Sequence, residues 1–171
     1  MTTRSLTRRD ALRGAAGIGA LSLLPAAAQA RRAQLDLLSE LGTRAEYLTL
    51  MDLLVLTGLS DTLRRRGPFT VFAPREMAFW RMSQAQYDQL IDPVFRPQLA
   101  RILRHHVVPE RHSVFELVGR RTVLPTLAGT SLVVDGLGGN GLRAGGAPVS
   151  LSEIEATNGF AHEVDTLMRP V

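Results

Sequence analysis

The chain has 171 residues, with 20 arginines and no lysine against 16 acidic residues, and it contains no cysteine. The lack of cysteine excludes disulfide bonds, thiol catalysis and cysteine-ligated zinc sites. Residues 31–171 carry 16 arginines against 15 acids, so this part has no strong basic field and composition does not support nucleic-acid binding. Its length is sufficient for one hydrophobic core without disulfides.

The first thirty residues predict an export signal. An arginine pair at 8–9 precedes a Gly/Ala-rich apolar run over 14–24, and Ala28 and Ala30 frame the small-x-small pattern that signal peptidases cut. We predict a twin-arginine signal over 1–30, an N-terminal segment over 31–44 and one domain over 45–171. A membrane anchor is the alternative, but a span needs roughly 20 apolar residues and this run has about half as many. The product would be periplasmic or extracellular, with no stable membrane span after removal of the signal.

Helices surround an early strand in the first half of the chain. A helix is predicted over 45–56, ending near Gly58, and its inward face carries Tyr47, Leu48, Met51, Leu54 and Val55. Residues 69–73 are apolar and lie between Gly67-Pro68 and Pro74, which predicts a strand buried on both faces. A helix that carries Ala78 and Phe79 should fold back over it. Trp80, beside the inward Phe79, is the aromatic residue that we expect to be exposed.

Further helices are predicted over about 83–91 and 96–105, followed by a short strand at 106–108. From Arg121 onward, short strands at roughly ten-residue spacing alternate with glycine-rich turns, which predicts an antiparallel meander. Asn158-Gly159 predicts a type I′ hairpin turn before the last strand. Helices first and strands last indicate an α+β fold.

Two separated motifs resemble those of the fasciclin domain family. The first is a strand followed by an Ala-Phe helix, present as Thr70, Val71, Phe72, Ala73 and Pro74 with Ala78 and Phe79. The second is a closing hairpin, present as Ala156, Thr157, Asn158 and Gly159 with His162, Asp165 and Pro170. Between them, the family's Tyr-His pair corresponds to His105-His106. The resemblance runs from about Ala45 to Pro170.

The resemblance implies a fasciclin-like β-wedge or sandwich with helices packed on one side and a C-terminal antiparallel meander. It also implies structural roles for the first motif and for His106 and His162, since buried polar groups need hydrogen-bond partners. The role of Asn158 and Gly159 is the geometry of the turn. Three positions are carried over as binding residues: His105 from the Tyr-His pair, and Glu153 and Ile154, which stand where several animal members have the Asp-Ile motif implicated in integrin recognition. The Thr-Asp that usually follows the first proline is Arg75-Glu76 here.

The function implied by the resemblance is non-enzymatic: an exported adhesion or matrix-interaction module that binds a surface protein or polysaccharide. The alternatives are a carrier of a small apolar ligand, such as a pigment or lipid, and an enzyme. No catalytic residue, metal or cofactor is predicted, because a metal site needs at least three convergent ligands and neighbouring His105 and His106 should point apart. The acids Glu153, Glu155, Glu163 and Asp165 near the last hairpin could supply a glycosidase pair, but charges on exposed strand faces beside a turn are usually solvated surface residues.

Overall fold

The structure, a computed structural model, describes residues 35–139 and 141–170. The predicted signal over 1–30, with Ala28 and Ala30, lies outside the described residues. No helix within the described ranges is both long enough and apolar enough to cross a membrane.

The helices come mainly before the meander, as the sequence predicts. They are α1 (Leu37–Gly42), α2 (Leu48–Leu56) with a preceding 3-10 turn (Ala45–Tyr47), α3 (Leu59–Leu63), α4 (Glu76–Trp80), α5 (Gln84–Ile91), a second 3-10 turn (Pro93–Phe95), α6 (Arg96–His105) and α7 (Val114–Leu117). The strands are β1 (Phe69–Pro74), β2 (Val107–Val108), β3 (Arg121–Pro125), β4 (Ser131–Asp135), β5 (Arg143–Ala144), β6 (Ala147–Ala156) and β7 (Gly159–Val164).

The strands form one mixed sheet in the order β2-β1-β7-β6-β5-β4-β3. The early strand β1 and the last strand β7 are parallel neighbours, in register from Phe69 opposite Gly159 to Pro74 opposite Val164. The other neighbouring pairs are antiparallel. The predicted α+β class is therefore confirmed, and the two sequence motifs lie side by side in the sheet.

Strand β1 is buried along its whole length because its two faces contribute to two different cores. Phe69, Val71 and Ala73 belong to the core formed with the leucine-rich helices, whereas Phe72 packs with the meander residues. This alternation follows from the two-residue period of a strand. A bulge in β6 between Val149 and Glu153 separates residues that pack in the meander core from those that pack against the helices.

The predicted inward face of α2 is partly wrong. Leu48 and Val55 are 60% and 65% exposed, while Leu50 and Leu53 are buried. Nearly every residue of this helix is apolar, so periodicity fits more than one face. The preceding 3-10 turn also has about three residues per turn, which shifts the phase between Tyr47 and the helix that follows.

Candidate functional site

Asn158 connects the closing hairpin to two helices. Its buried side-chain oxygen accepts a hydrogen bond from the Leu37 backbone amide at 2.8 Å. Its side-chain nitrogen donates to the Leu63 carbonyl at 2.7 Å and to the Arg65 carbonyl at 2.8 Å. The side chain therefore satisfies one orphan amide at the start of α1 and carbonyls at the end of α3, as helix ends require.

The predicted type I′ turn at Asn158-Gly159 is wrong. No residue other than glycine has a positive φ in the described part of the chain, and Ala156 pairs with Gly159, so Thr157 and Asn158 form the turn. Gly159 instead allows close approach of two strands. A Cβ atom at Gly159 would lie 1.8 Å from the Phe69 carbonyl oxygen, and its φ of 156° is also unfavourable for other residues.

His106 is buried at the junction of α6 and β2. Its Nδ1–H donates to the Ile102 carbonyl at 2.9 Å, and its Nε2 accepts from the Met168 amide at 2.9 Å. Both ring nitrogens are thus used by the neutral imidazole. Burial lowers the pKa of His106 to about 4.

His162 is also enclosed. Its Nε2–H donates to the His112 carbonyl at 2.8 Å, and its ring lies beside the rings of Phe72 and Phe160. Its Nδ1 atom is buried without a hydrogen-bond partner in the described ranges. Burial lowers the pKa of His162, so the neutral ring is favoured at this position.

The three predicted binding residues do not form an exposed surface. His105 is buried, and its Nδ1 atom lies 2.6 Å from the Thr130 hydroxyl; burial lowers its pKa. Ile154 is part of the helix-side core. A carboxylate oxygen of Glu153, which is partly buried, accepts from the Val114 amide at 2.7 Å at the start of α7. The burial of His105 and Ile154 leaves little side-chain surface for direct contact with a partner.

The acids near the last hairpin are paired with other groups. Asp165 accepts from the Arg75 Nε and Nη2 atoms at 2.8 and 2.6 Å, and Glu163 accepts from the Tyr47 hydroxyl at 3.1 Å. Burial and the adjacent Glu163 charge raise the pKa of Tyr47 well above its usual value. Glu155 pairs with Arg111 at 2.8 Å. Among the described residues, no cluster of three or more histidines and acids is arranged to hold a metal ion.

Arg75 and Glu76, which stand where the family usually has Thr-Asp, each make a structural contact. Arg75 bridges the ends of β1 and β7 through Asp165. Glu76 accepts from the Thr49 amide at 2.6 Å and from the Thr49 hydroxyl at 2.8 Å. This side chain therefore caps the start of α2 and joins it to α4.

The exposed surface contains a feature that sequence reasoning only partly anticipated. Trp80 is 72% exposed at the end of α4, as expected. It lines an open cleft of about 470 Å³ with residues from α2 and α5 and the segment between α4 and α5; the lining is Thr49, Phe79, Trp80, Met82, Gln84 and Tyr87. The feature of the sequence that pointed to this surface was the single tryptophan next to a phenylalanine predicted to face inward. Thr49 could not be assigned to the cleft, because it comes from a helix some thirty positions earlier.

Comparisons with known proteins agree with the fold. The model of the Fasciclin domain matches residues 45–170. The chain is 33% identical over 122 residues to Uncharacterized protein sll1735 of Synechocystis sp., covering 71% of this chain and 88% of that protein. It is 35% identical over 112 residues to Immunogenic protein MPB70 of Mycobacterium bovis, covering 66% of this chain and 54% of that one. A FAS1 domain pair from the insect cell adhesion molecule Fasciclin I matches with a TM-score of 0.64 and 18% identity, covering 79% of this chain and 51% of that chain.

Proposed function

Because the chain belongs to the fasciclin domain family, we propose that it is an exported, non-enzymatic module that binds a protein or polysaccharide at the cell surface. The predicted signal over 1–30 supports export to the periplasm or the exterior. Insect Fasciclin I is a cell adhesion molecule, and this role motivates the functional class that we propose for this chain.

The observation that carries the proposal is the exposure of Trp80 at the rim of an open cleft. Tryptophan is usually well buried, and tryptophan and tyrosine dominate the energetics of many binding surfaces. The motif side chains of Asn158 and His106 are engaged in hydrogen bonds inside the domain. Partner contacts are therefore assigned to the outer surface.

The contacts that the carboxylates near the last hairpin make inside the domain support a non-enzymatic function. Asp165 and Glu155 are each held by an arginine, and the carboxylate of Glu163 by a tyrosine hydroxyl. A glycosidase pair needs two carboxylates facing a common substrate space. Here they stabilise contacts between elements.

The carrier alternative receives less support. A carrier for a drug-sized apolar ligand needs a pocket of roughly 300–1,000 Å³ that encloses most of the ligand. The cleft lined by Leu90, Phe95, Leu99 and Ile102 has a volume of about 60 Å³, which is too small for a pigment or a lipid. The Trp80 cleft has a volume of about 470 Å³, but it is open to solvent and would not enclose most of such a ligand.

Retention on cell-surface material tests the proposed function. Purified protein without residues 1–30 would be incubated with washed envelope and extracellular polymers, and bound protein would be measured against concentration. We expect saturable retention without chemical change of the polymers. The proposal is overturned if no saturable retention occurs and a deletion strain attaches to surfaces as the parent strain does.

A further inference from the structure

The Trp80 cleft, defined by Thr49, Phe79, Trp80, Met82, Gln84 and Tyr87, has firmly positioned walls. The contact from Glu76 to Thr49 fixes α2 against α4 on one side. On the other side, Ser83 and Gln86 form a reciprocal capping box that fixes the start of α5, next to Gln84. Phe79 is buried in the core and anchors the helix that carries Trp80. A site with walls fixed in advance loses less entropy when it binds.

The chemistry of the lining indicates the class of ligand. None of the six lining residues is ionic at neutral pH, although charged residues occur elsewhere on the surface of α4 and α5. The polar lining residues are Thr49, Gln84 and Tyr87. The Thr49 hydroxyl donates to Glu76 and the Gln84 Nε2 donates to Asp88, so each of these two side chains keeps an oxygen that can accept a hydrogen bond, and the Tyr87 phenol can donate or accept. An anionic polymer or lipid headgroup would find no cation in this lining.

A sugar ring matches this combination of groups. One face of a pyranose ring consists of C–H groups that can stack on the exposed indole of Trp80, while its hydroxyl rim can hydrogen-bond to neutral polar side chains. Aromatic residues that are apolar on the face and polar at the edge suit such mixed surfaces. Because the cleft is open, a polymer chain can enter it without a free end.

We propose that the Trp80 cleft binds a neutral polysaccharide, with Trp80 as the stacking platform and Tyr87 and Gln84 as hydrogen-bonding groups. This inference deepens the proposed function and rests on it. It assigns the partner to one class, and it places the contact on α4 and α5 instead of at His105, Glu153 or Ile154. A protein partner at this cleft would be a different result.

Trp80 is the only tryptophan in the chain, so its fluorescence reports directly on the cleft. The purified protein would be titrated with hexasaccharides of neutral glucans, xylans, mannans and chitin, and with an anionic oligogalacturonate. We expect a saturable change in emission with at least one neutral sugar and none with the anionic one. A change with the anionic sugar alone, or with no sugar, overturns the inference.

Cosedimentation with the matching insoluble polysaccharide tests the residues. We expect Trp80→Ala to weaken binding at least about tenfold, Trp80→Phe to retain part of it, and Tyr87→Phe to weaken it less. Phe115→Ala is the matched control, since Phe115 is 81% exposed on α7 and lies outside the cleft; it should bind as the wild type does. Circular dichroism would confirm that all variants are folded. Equal binding by Trp80→Ala and Phe115→Ala overturns the inference.

The two proposals fail in different ways. If Trp80→Ala is retained on envelope material as strongly as wild type, the polysaccharide site is wrong and the general binding function stands. If the partner recovered is a protein that binds through Trp80, the ligand class is wrong. If wild type binds neither sugars nor envelope material, both proposals are wrong.

Discussion

The side-chain oxygen of Asn158 accepts a hydrogen bond from the backbone amide of Leu37 across a separation of 121 residues. The N-terminal helix α1 is thereby attached to the closing hairpin, and Leu37 itself is fully buried. The contact makes the hairpin turn a point where the two ends of the domain meet. Helix α1, within the described residues 35–44, thus contributes to the core of the domain.

Replacing Asn158 by alanine should lower the free energy of unfolding by about 3 kcal/mol. The change removes three hydrogen bonds and leaves the Leu37 amide and the Leu63 and Arg65 carbonyls without this partner, at roughly 1 kcal/mol or more each. Urea denaturation followed by circular dichroism measures the change.

Thr157→Ala is the control for Asn158→Ala. Thr157 is the neighbouring turn residue, it is exposed, and its hydroxyl makes one long contact of 3.3 Å to the Leu35 carbonyl. Its loss should cost about 0.5 kcal/mol. If the two variants unfold at the same urea concentration, Asn158 does not have the role described.

Gly159→Ala should prevent normal folding or lower stability by several kcal/mol, more than any loss from φ strain alone. The added Cβ would overlap the Phe69 carbonyl oxygen at 1.8 Å, so β1 and β7 could not stay in register. Gly129→Ala is the matched control, since its φ is 73° and a Cβ there meets no atom within 4 Å. That variant should lose about 1–2 kcal/mol. Equal thermal unfolding of both variants would show that the close approach is unimportant.

Stability should fall as the pH is lowered from about 6.5 to about 4. In this range the unfolded chain protonates His106, whereas burial keeps the folded imidazole neutral, so the unfolded state binds more protons. His106 alone would contribute about 3 kcal/mol of the loss. The lowered pKa values of His105 and His162 act in the same direction. Urea midpoints measured across this range test the trend.

The assignment to His106 can be checked separately. A carbon–proton NMR titration of the ring follows the protonation of each histidine in the folded protein. The ring of His106 should remain neutral until the pH approaches about 4 or the protein unfolds. Titration of its ring near pH 6.5 in the folded protein would be incompatible with the buried hydrogen-bonded ring.

Arg75→Ala should lower stability by about 1 kcal/mol, because the guanidinium joins the ends of β1 and β7 and both partners are partly exposed. Arg44→Ala is the control, since Arg44 forms a longer pair with Glu40, at 3.4 Å, and its partner lies only four residues away in the N-terminal segment. It should lose less than about 0.5 kcal/mol. Stability of both variants would be compared by thermal unfolding at low and high salt. A larger loss for Arg44→Ala would contradict the described network.

Local sequence patterns predict where the strands lie better than they predict which strands pair with each other. The apolar run ending at Pro74 identifies β1, and the glycine-spaced segments identify the meander. The parallel pairing of β1 with β7 joins residues about ninety positions apart, and no local pattern specifies it. The inward face of α2 was partly mistaken because its almost wholly apolar sequence leaves the orientation to tertiary contacts such as the one from Glu76 to Thr49.

At the candidate site, too, local sequence predicts the exposure of a single residue but not its neighbours in space. The position of Trp80 beside the inward Phe79 was sufficient to predict an exposed aromatic side chain. The neighbours of Trp80 depend on how α2 and α5 pack around α4, which lies beyond local sequence patterns. At Asn158, the Asn-Gly pair suggested turn geometry. The structure shows that the asparagine serves distant helix ends and the glycine serves strand packing.

The most direct test of the account is an amide NMR titration of the uniformly labelled protein with the neutral oligosaccharide that changes Trp80 fluorescence most. Binding on the outer surface, with the motif residues maintaining the core, predicts saturable shifts concentrated at Trp80, Gln84 and Tyr87, with the amides of His106 and Asn158 unchanged. Shifts centred on the buried motif residues, or no shifts at saturating sugar, would contradict it.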